Sequence, residues 1–334
     1  LNTFTQAYQA RLQQIIDHCM RQVEDDQVIF TKSDFPGVSL TTPWLAQFQG
    51  MLTGQSYRLQ SIYAASSLQR GFIYHALSEP DDDAYRVQSV LDLNLKLNMD
   101  CYRQAWQCVL DQCPGLRIGF NWDNELLQII YRGVKVDFTH IDLSGKKDSE
   151  LLIESYQYTE RLKPFDLERP PLFRLLVLQH GDSSFTLIKT EHHSISDGWS
   201  GPLVMSRVNH YYEQLVKGQS VTVSEDRSYL DAQRYHASQA STVKDFWDKE
   251  KQAFDTINDL NPLLSHSTHL NQHRIVDQTA TETLIVDNAL YQSLQATVRD
   301  LGITMNVVVQ FMCCLLYTSP SPRDLSTSRM PSSA

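Results

Sequence analysis

LFRLLVLQHGDSSFTLIKTEHHSISDGWSGP, residues 172–202, decides the fold. Two apolar runs, Leu172 to Leu178 and Phe185 to Thr190, are separated by Gly181-Asp182-Ser183-Ser184, which predicts neighbouring strands joined by a turn. The second run passes directly into Glu191-His192-His193. After Gly198-Trp199-Ser200-Gly201, Pro202 stands where proline is tolerated at a helix start. Val204, Val208, Tyr211, Tyr212 and Leu215 then share one helical face, and Gly218 closes it. His193 is therefore expected at a strand end, on a short turn leading into a helix.

Outward from this stretch the pattern stays mixed. Tyr85, Val87, Ser89, Leu91 and Leu93 alternate as in a half-buried strand. Tyr102, Ala105, Trp106, Val109 and Leu110 repeat as in an amphipathic helix that stops before Pro114-Gly115. Leu127–Tyr131 reads as a strand and Leu151–Arg161 as a helix. Residues 225–253 read as a loop followed by a helix. Thr281–Val286 reads as a strand, and Ala289–Leu301 and Met305–Leu315 as helices opening a second lobe. Strands and helices in this order predict an α/β lobe, a mixed sheet flanked by helices.

The bulk numbers exclude several classes. The 334 residues carry a formal charge of -10, with 42% hydrophobic and 20% charged residues, as in an ordinary globular protein. No clustered positive footprint suggests a nucleic-acid partner. The longest apolar stretch, Ile303–Tyr317, is interrupted by Asn306 and Gln310 and is too short to span a bilayer. With no signal-peptide pattern in the first twenty residues, a cytoplasmic location is expected, with the true N-terminus upstream of Leu1. The six cysteines show no CxxC pair and are expected as buried free thiols.

Both ends differ from the body. Tyr8, Leu12, Ile15, Ile16 and Cys19 predict an amphipathic first helix, followed by turn-rich FTKSDFPGVSL. At the other end, Cys314–Asp324 reads as the translation of a sequencing-library transposon adapter, and Ser328–Ala334 resembles the flow-cell adapter that follows it. Residues 314–334 are accordingly expected to be a disordered artefact. Removing them takes away Arg323, Asp324 and Arg329 and leaves the chain acidic.

His192-His193-Ser194-Ile195-Ser196-Asp197-Gly198 matches HHxxxDG, and other segments agree with the same family in order. Residues 65–77, ASSLQRGFIYHAL, are similar to "SPLQEGMLFHSL". Residues 114–120, PGLRIGF, are similar to "HEALRTxF", without its His and with Gly for Glu-Ala. Residues 163–174, KPFDLERPPLFR, are similar to "RPFDLxxGPLxR". Residues 228–232, SYLDA, are similar to "PYRDY". The chain thus resembles condensation domains of nonribosomal peptide synthetases. His18-Cys19 followed by Thr31-Lys32-Ser33-Asp34-Phe35-Pro36 resembles the closing "HC…TPSDFP" segment of an upstream condensation-family domain, often an epimerisation domain, with Lys where Pro is usual. The resemblance sets expected boundaries: 1–57 for the upstream tail and linker, and 58–313 for the domain.

The resemblance implies a chloramphenicol-acetyltransferase-like fold with only the start of its second lobe present. It implies peptide-bond formation: a thioester on one carrier domain is passed to the amine on another. Both substrates ride on 4'-phosphopantetheine, no cofactor is bound directly, and upstream and downstream peptidyl carrier domains are the partners. His193 is the family's catalytic residue, His192 supports its geometry, and the Gly198 amide is placed to stabilise an oxyanion. Asp197 is structural and pairs with an arginine, for which Arg117 and Arg174 are candidates. Trp199 lines the cleft wall.

Elementary chemistry fits such a division of labour. A thioester is already activated, and an α-amino group titrates near ~7.7–8.0, so much of it is neutral at cytosolic pH. Holding amine and carbonyl together supplies on the order of 7–11 kcal/mol, and general-base assistance roughly 10²–10⁴ in rate. A metal held by His192, His193 and Asp197 is disfavoured, because adjacent residues at a strand end point opposite ways. Ser194, Ser196 and Ser200 lack a nucleophile-elbow pattern. Trp199-Ser200-Gly201-Pro202 continues as in condensation rather than epimerisation domains, and heterocyclisation domains carry aspartates where His192 and His193 stand. A stand-alone acyl-CoA acyltransferase and a non-catalytic carrier-binding fragment are the alternatives. The fragment by itself is expected to be inactive.

Overall fold

The computed structural model describes residues 2–24, 29–80, 82–146, 149–251 and 283–318. The chain divides into two compact units, Leu1–Lys244 and Asp245–Ala334.

Unit one is built around the two apolar runs. They form β6 (Phe173–Gly181) and β7 (Ser184–His192), an antiparallel hairpin pairing Phe173 with Glu191 and Gly181 with Ser184. β2 (Arg86–Leu93) pairs antiparallel with β7, and β5 (Phe138–Asp142) pairs parallel with β6. The sheet order is β2-β7-β6-β5. A second, antiparallel sheet is formed by β1 (Arg58–Ala64), β4 (Leu127–Arg132) and β3 (Ile118–Asn121), with β4 central.

The continuous apolar runs are explained by burial on both faces of the larger sheet. Phe173, Leu175, Val177, Phe185 and Leu187 face α4 (Met99–Gln112) and α6 (Ser200–Val216), in a core that contains the fully buried Trp106. Leu176, Leu178 and Ile188 face the other way, against Leu152, Ile153 and Tyr156 of α5 (Ser149–Leu162). Each such large side chain contributes about 1.5–3 kcal/mol by leaving water. β2 is an edge strand, and its Val90 and Leu91 remain exposed. The turn-rich stretch after α1 (Asn2–Glu24) and the helix α2 (Thr42–Met51) also join this core, through Phe35, Leu45 and Phe48. The described side chains of α1 from Thr3 to Arg21 are all exposed.

Two glycines are required by the backbone. At Gly119 in β3 a Cβ would lie 2.5 Å from the Glu168 carbonyl oxygen, beside the bond from Phe120 N to Leu167 O. Gly218 closes α6 at φ +68°, a conformation that side chains disfavour.

Several expectations change. Of the cysteines whose side chains are described, only Cys108 is buried. Cys19 is exposed, and Cys113 is half-buried with Arg207 Nη1 donating to its sulfur at 3.0 Å. The stretch expected as a strand at Thr281–Val286 lies partly outside the described residues. Its described part, Thr283–Val286, forms no strand, since a strand is defined by a partner and none pairs with it among the described residues. Leu284 and Ile285 are exposed. α7 (Ser228–Glu250), α8 (Asn288–Leu301) and α9 (Met305–Thr318) appear where helices are expected, but α9 runs on through Cys314–Thr318, residues expected to be disordered, because the apolar helical stretch of Met305–Leu315 continues without a breaker until Pro320. Among the described residues no helix is long and apolar enough to cross a membrane.

Candidate active site

β7 ends at His192, and its extension delivers both histidines. The residues just before β2 and β6 hold the exit from either side: His193 N donates to Tyr85 O at 2.9 Å, and His192 N to Leu172 O at 2.9 Å. Alternation along the strand then sends the two rings to different surroundings.

The His193 ring is half-buried and stacks on Phe72, with centroids 5.4 Å apart and planes 25° apart. Its Nδ1 lies 2.9 Å from the Ser196 carbonyl oxygen. A carbonyl only accepts, so Nδ1 carries a proton, and in the neutral ring the lone pair is on Nε2. That is the tautomer of a proton acceptor.

His192 is set the opposite way. Ser194 N donates to its Nδ1 at 3.3 Å, and the Ser194 hydroxyl lies 2.7 Å from the same atom. Its proton therefore sits on Nε2. Burial, with further contributions from His193 and Arg86, lowers the His192 pKa to about 4, so the ring is neutral at pH 7.

Two residues of α3 (Ser67–Ser78) position this turn, Phe72 and Gln69. Gln69 Nε2 donates to the Ser194 carbonyl at 3.2 Å, a buried bond across 125 residues. The Ser66–Gln69 capping box that starts α3 fixes Gln69 in turn. Neither residue is singled out by the sequence reading. The S-x-x-Q spacing could have announced the cap, but nothing local announces its partner.

Asp197 is exposed and accepts from Ser200 N at 2.8 Å and Ser200 Oγ at 2.7 Å, closing the turn into α6. Those bonds hold its carboxyl below the usual range. Neither candidate arginine meets it among the described residues. Arg117, 2% exposed, bonds Gln60 Oε1, Tyr131 O and Glu225 Oε2 at 3.0, 2.7 and 2.9 Å. It thereby ties the smaller sheet to the segment before α7. Burial raises the Glu225 pKa, but the bonds from Arg117 and Gln60 outweigh it and hold the carboxyl low. Arg174 pairs with Glu160 at 2.8 Å and lies 4.2 Å over the Phe165 ring. The two arginines are spent on the frame, which leaves Asp197 to the helix start.

Gly198 has open space where a Cβ would stand, so no steric contact among the described residues demands glycine there. Trp199 is 87% exposed. Both lie on the open side of the turn.

The family model described as "Condensation domain" matches residues 59–324. The chain belongs to the condensation-domain family of nonribosomal peptide synthetases. The match includes Cys314–Asp324, the stretch that reads as adapter. The condensation region is 32% identical over 263 residues to N-(5-amino-5-carboxypentanoyl)-L-cysteinyl-D-valine synthase of Penicillium rubens, covering 75% of this chain and 7% of that synthase. It is 28% identical over 235 residues to bacitracin synthase 1 of Bacillus licheniformis, covering 69% of this chain and 4% of that synthase. The chain thus spans under a tenth of these relatives. Among solved structures, the starter condensation domain of the rhizomide synthetase RzmA aligns with a TM-score of 0.51, 22% identity, and coverage of 57% of this chain and 50% of that one. A double mutant in a "product-released" conformation aligns with 0.54, 20% identity, and coverage of 67% and 51%. The condensation-domain fold, about half of it, is shared with both.

Proposed function

We infer that, in its parent synthetase, this domain joins a carrier-bound aminoacyl or peptidyl thioester to the amine of a second carrier-bound aminoacyl group. The observation that carries this reading is the state of His193, whose Nδ1–H is spent on Ser196 O and whose Nε2 lone pair is free on a half-buried ring. The neutral amine attacks the thioester carbonyl. Its nitrogen gains the C–N bond and loses one proton to His193 Nε2, while the C–S bond breaks and the leaving thiolate takes that proton from His193, which returns the ring to its starting state. Most of the acceleration comes from holding two tethered reactants in register. His193 adds proton acceptance and orientation of the amine, and the Gly198 amide, on the open side of the turn, is assigned to the developing oxyanion.

The proposed boundaries are 58–313 for the domain and 1–57 for the closing segment and linker of a preceding domain. Residues 314–334 are assigned to adapter sequence. If the preceding domain epimerises, the donor is a D-residue; an intact locus encoding no epimerisation domain directly upstream rules this out.

The test is His193→Ala in the full synthetase. Transfer between loaded carriers should fall at least tenfold while carrier binding is unchanged. Product formation at the wild-type rate removes His193 from the mechanism. A stand-alone acyl-CoA acyltransferase is the second reading, favoured only if free acyl-CoA replaces the loaded donor carrier without loss of rate.

A further inference from the structure

Two residues of β7 carry opposite charges into the core. Lys189 and Glu191 are each 6% exposed, and Lys189 Nζ lies 2.5 Å from Glu191 Oε2. Alternation along the strand places them on the face of Phe185 and Leu187, the side of α4 and α6. Their cross-strand neighbours bring no countercharge: Ser89 and Leu175 flank Lys189, and Val87 and Phe173 flank Glu191. The contact has the distance of an ion pair without the angle of a hydrogen bond, and Glu191 Oε2 is buried with no hydrogen-bond partner among the described residues.

Stability does not explain such a pair. Burying two charges costs about as much as their attraction returns, and apolar side chains of similar volume would hold the strand as well or better. Position does explain it. His193 N donates to Tyr85 O, one step beyond the Arg86–His192 pair, so the ladder runs one residue past β7. His193 therefore follows Glu191 on the same face, about 7 Å further along the strand, and Lys189 stands two residues behind Glu191. The negative member of the pair is next to the ring, at a range where charges screened by protein rather than water are felt.

The other charges around the ring are engaged elsewhere. On α3, His75 pairs with Asp82 at 3.2 Å, and Arg70 Nε donates to Ala65 O at 3.1 Å. Ahead of β2 the Tyr85 ring packs on Phe72, and Arg86 donates to the carbonyls of Arg161, Leu162 and Asp82. On the turn, His192 is neutral at pH 7 and Asp197 is exposed and bonded to Ser200. On α6, Arg207 pairs with Asp226 at 2.6 Å, and on α4, Arg103 lies over the Phe138 ring. A bare carboxylate at Glu191 would favour the imidazolium and fill Nε2 before the amine arrives, and a bare ammonium at Lys189 would weaken the ring as an acceptor. Paired, with the negative end toward the ring, they favour the imidazolium mildly. That suits a group that is unprotonated at rest and accepts a proton during reaction.

We propose that Lys189 and Glu191 are positioning residues that act through His193: the Glu191 carboxylate strengthens the ring as a proton acceptor, and the Lys189 ammonium limits that gain so that Nε2 is bare when the amine arrives. The proposal rests on the transfer reading above.

The test is a pH titration of the 334-residue chain followed by histidine nitrogen-15 NMR, with His193 assigned through His193→Ala. Exchanging the charges, Lys189→Glu with Glu191→Lys, keeps a buried pair but turns its positive end to the ring, and the His193 midpoint should fall by about half a pH unit. The neutral double variant Lys189→Met with Glu191→Leu, which apolar packing should allow to fold, should lower it by a smaller amount. Lys189→Met alone should raise it by about one pH unit. A role confined to packing predicts no such order. An unmoved or raised midpoint in the neutral or exchanged variant overturns the proposal, and so does failure of the neutral variant to fold, which would make the pair structural. In the parent synthetase the acidic limb of the transfer pH profile should move in the same order. Midpoints that move while that limb stays would sink the transfer role of His193 and leave the tuning intact; unmoved midpoints sink the tuning and leave the transfer reading standing.

Discussion

His192 and His193 are adjacent in sequence and opposite in chemistry, because one neighbour donates to the first and another accepts from the second. This difference has a pH signature. In the unfolded chain His192 titrates at its ordinary value of about 6.5, whereas in the folded chain it titrates at about 4. Between those values the unfolded state binds the extra proton, so stability is full above about 6.5 and declines as pH falls toward 4. The loss amounts to at most roughly 3 kcal/mol. Urea denaturation at pH 7 and pH 4.5 should show this fall, and His192→Gln should flatten it; an equal slope in the variant contradicts the assignment. Asp197→Ala removes the acceptor for Ser200 N and Oγ and should cost about 1 kcal/mol, as lost helix-start caps do. Lost transfer at an unchanged melting temperature would instead give Asp197 a direct role.

The hairpin of β6 and β7 was legible from residues because burial on both faces leaves a continuous apolar run that turn residues must interrupt. The helices α4, α5 and α6 were equally legible, since each presents one apolar stripe to the larger sheet. β1, β3, β5 and α3 were not read as elements; β3 and β5 have only four and five residues, too short to display a period. Of the site, the histidines and the turn were visible in the motif. The support from α3 was not, because a hydrogen bond between Gln69 and Ser194 leaves no trace in local spacing. The same holds for the arginines, whose partners Glu225 and Glu160 are set by tertiary packing. Gln69→Leu should leave the Ser194 carbonyl without its donor and cost about 1–3 kcal/mol, read by urea denaturation; an unchanged midpoint would show the bond to be dispensable. Gly119→Ala forces a Cβ against the Glu168 carbonyl and should cost roughly 1–3 kcal/mol. Unchanged stability there would mean that the loop before β6 yields freely.

The chain covers about half the length of the solved condensation domains it resembles, and its described surface carries large apolar side chains. Tyr8, Ile15, Leu284, Ile285 and Phe311 are all large, apolar and exposed. Such surface favours association, so the isolated chain should bind a hydrophobic dye and sediment heterogeneously, and should form no dipeptide from loaded carriers. Monodisperse behaviour with measurable condensation would contradict this. In the proposed transfer the larger assembly supplies the reactants and the chemistry turns on one nitrogen, His193 Nε2, opposite the Nδ1 that bonds Ser196 O. Nitrogen-15 NMR of histidine-labelled protein near pH 8, with His193 assigned by loss of its signals in His193→Ala, reads that state directly. The proton should reside on Nδ1, with an unprotonated Nε2; a proton on Nε2 would leave the ring unable to accept one from the attacking amine and would contradict the proposed transfer.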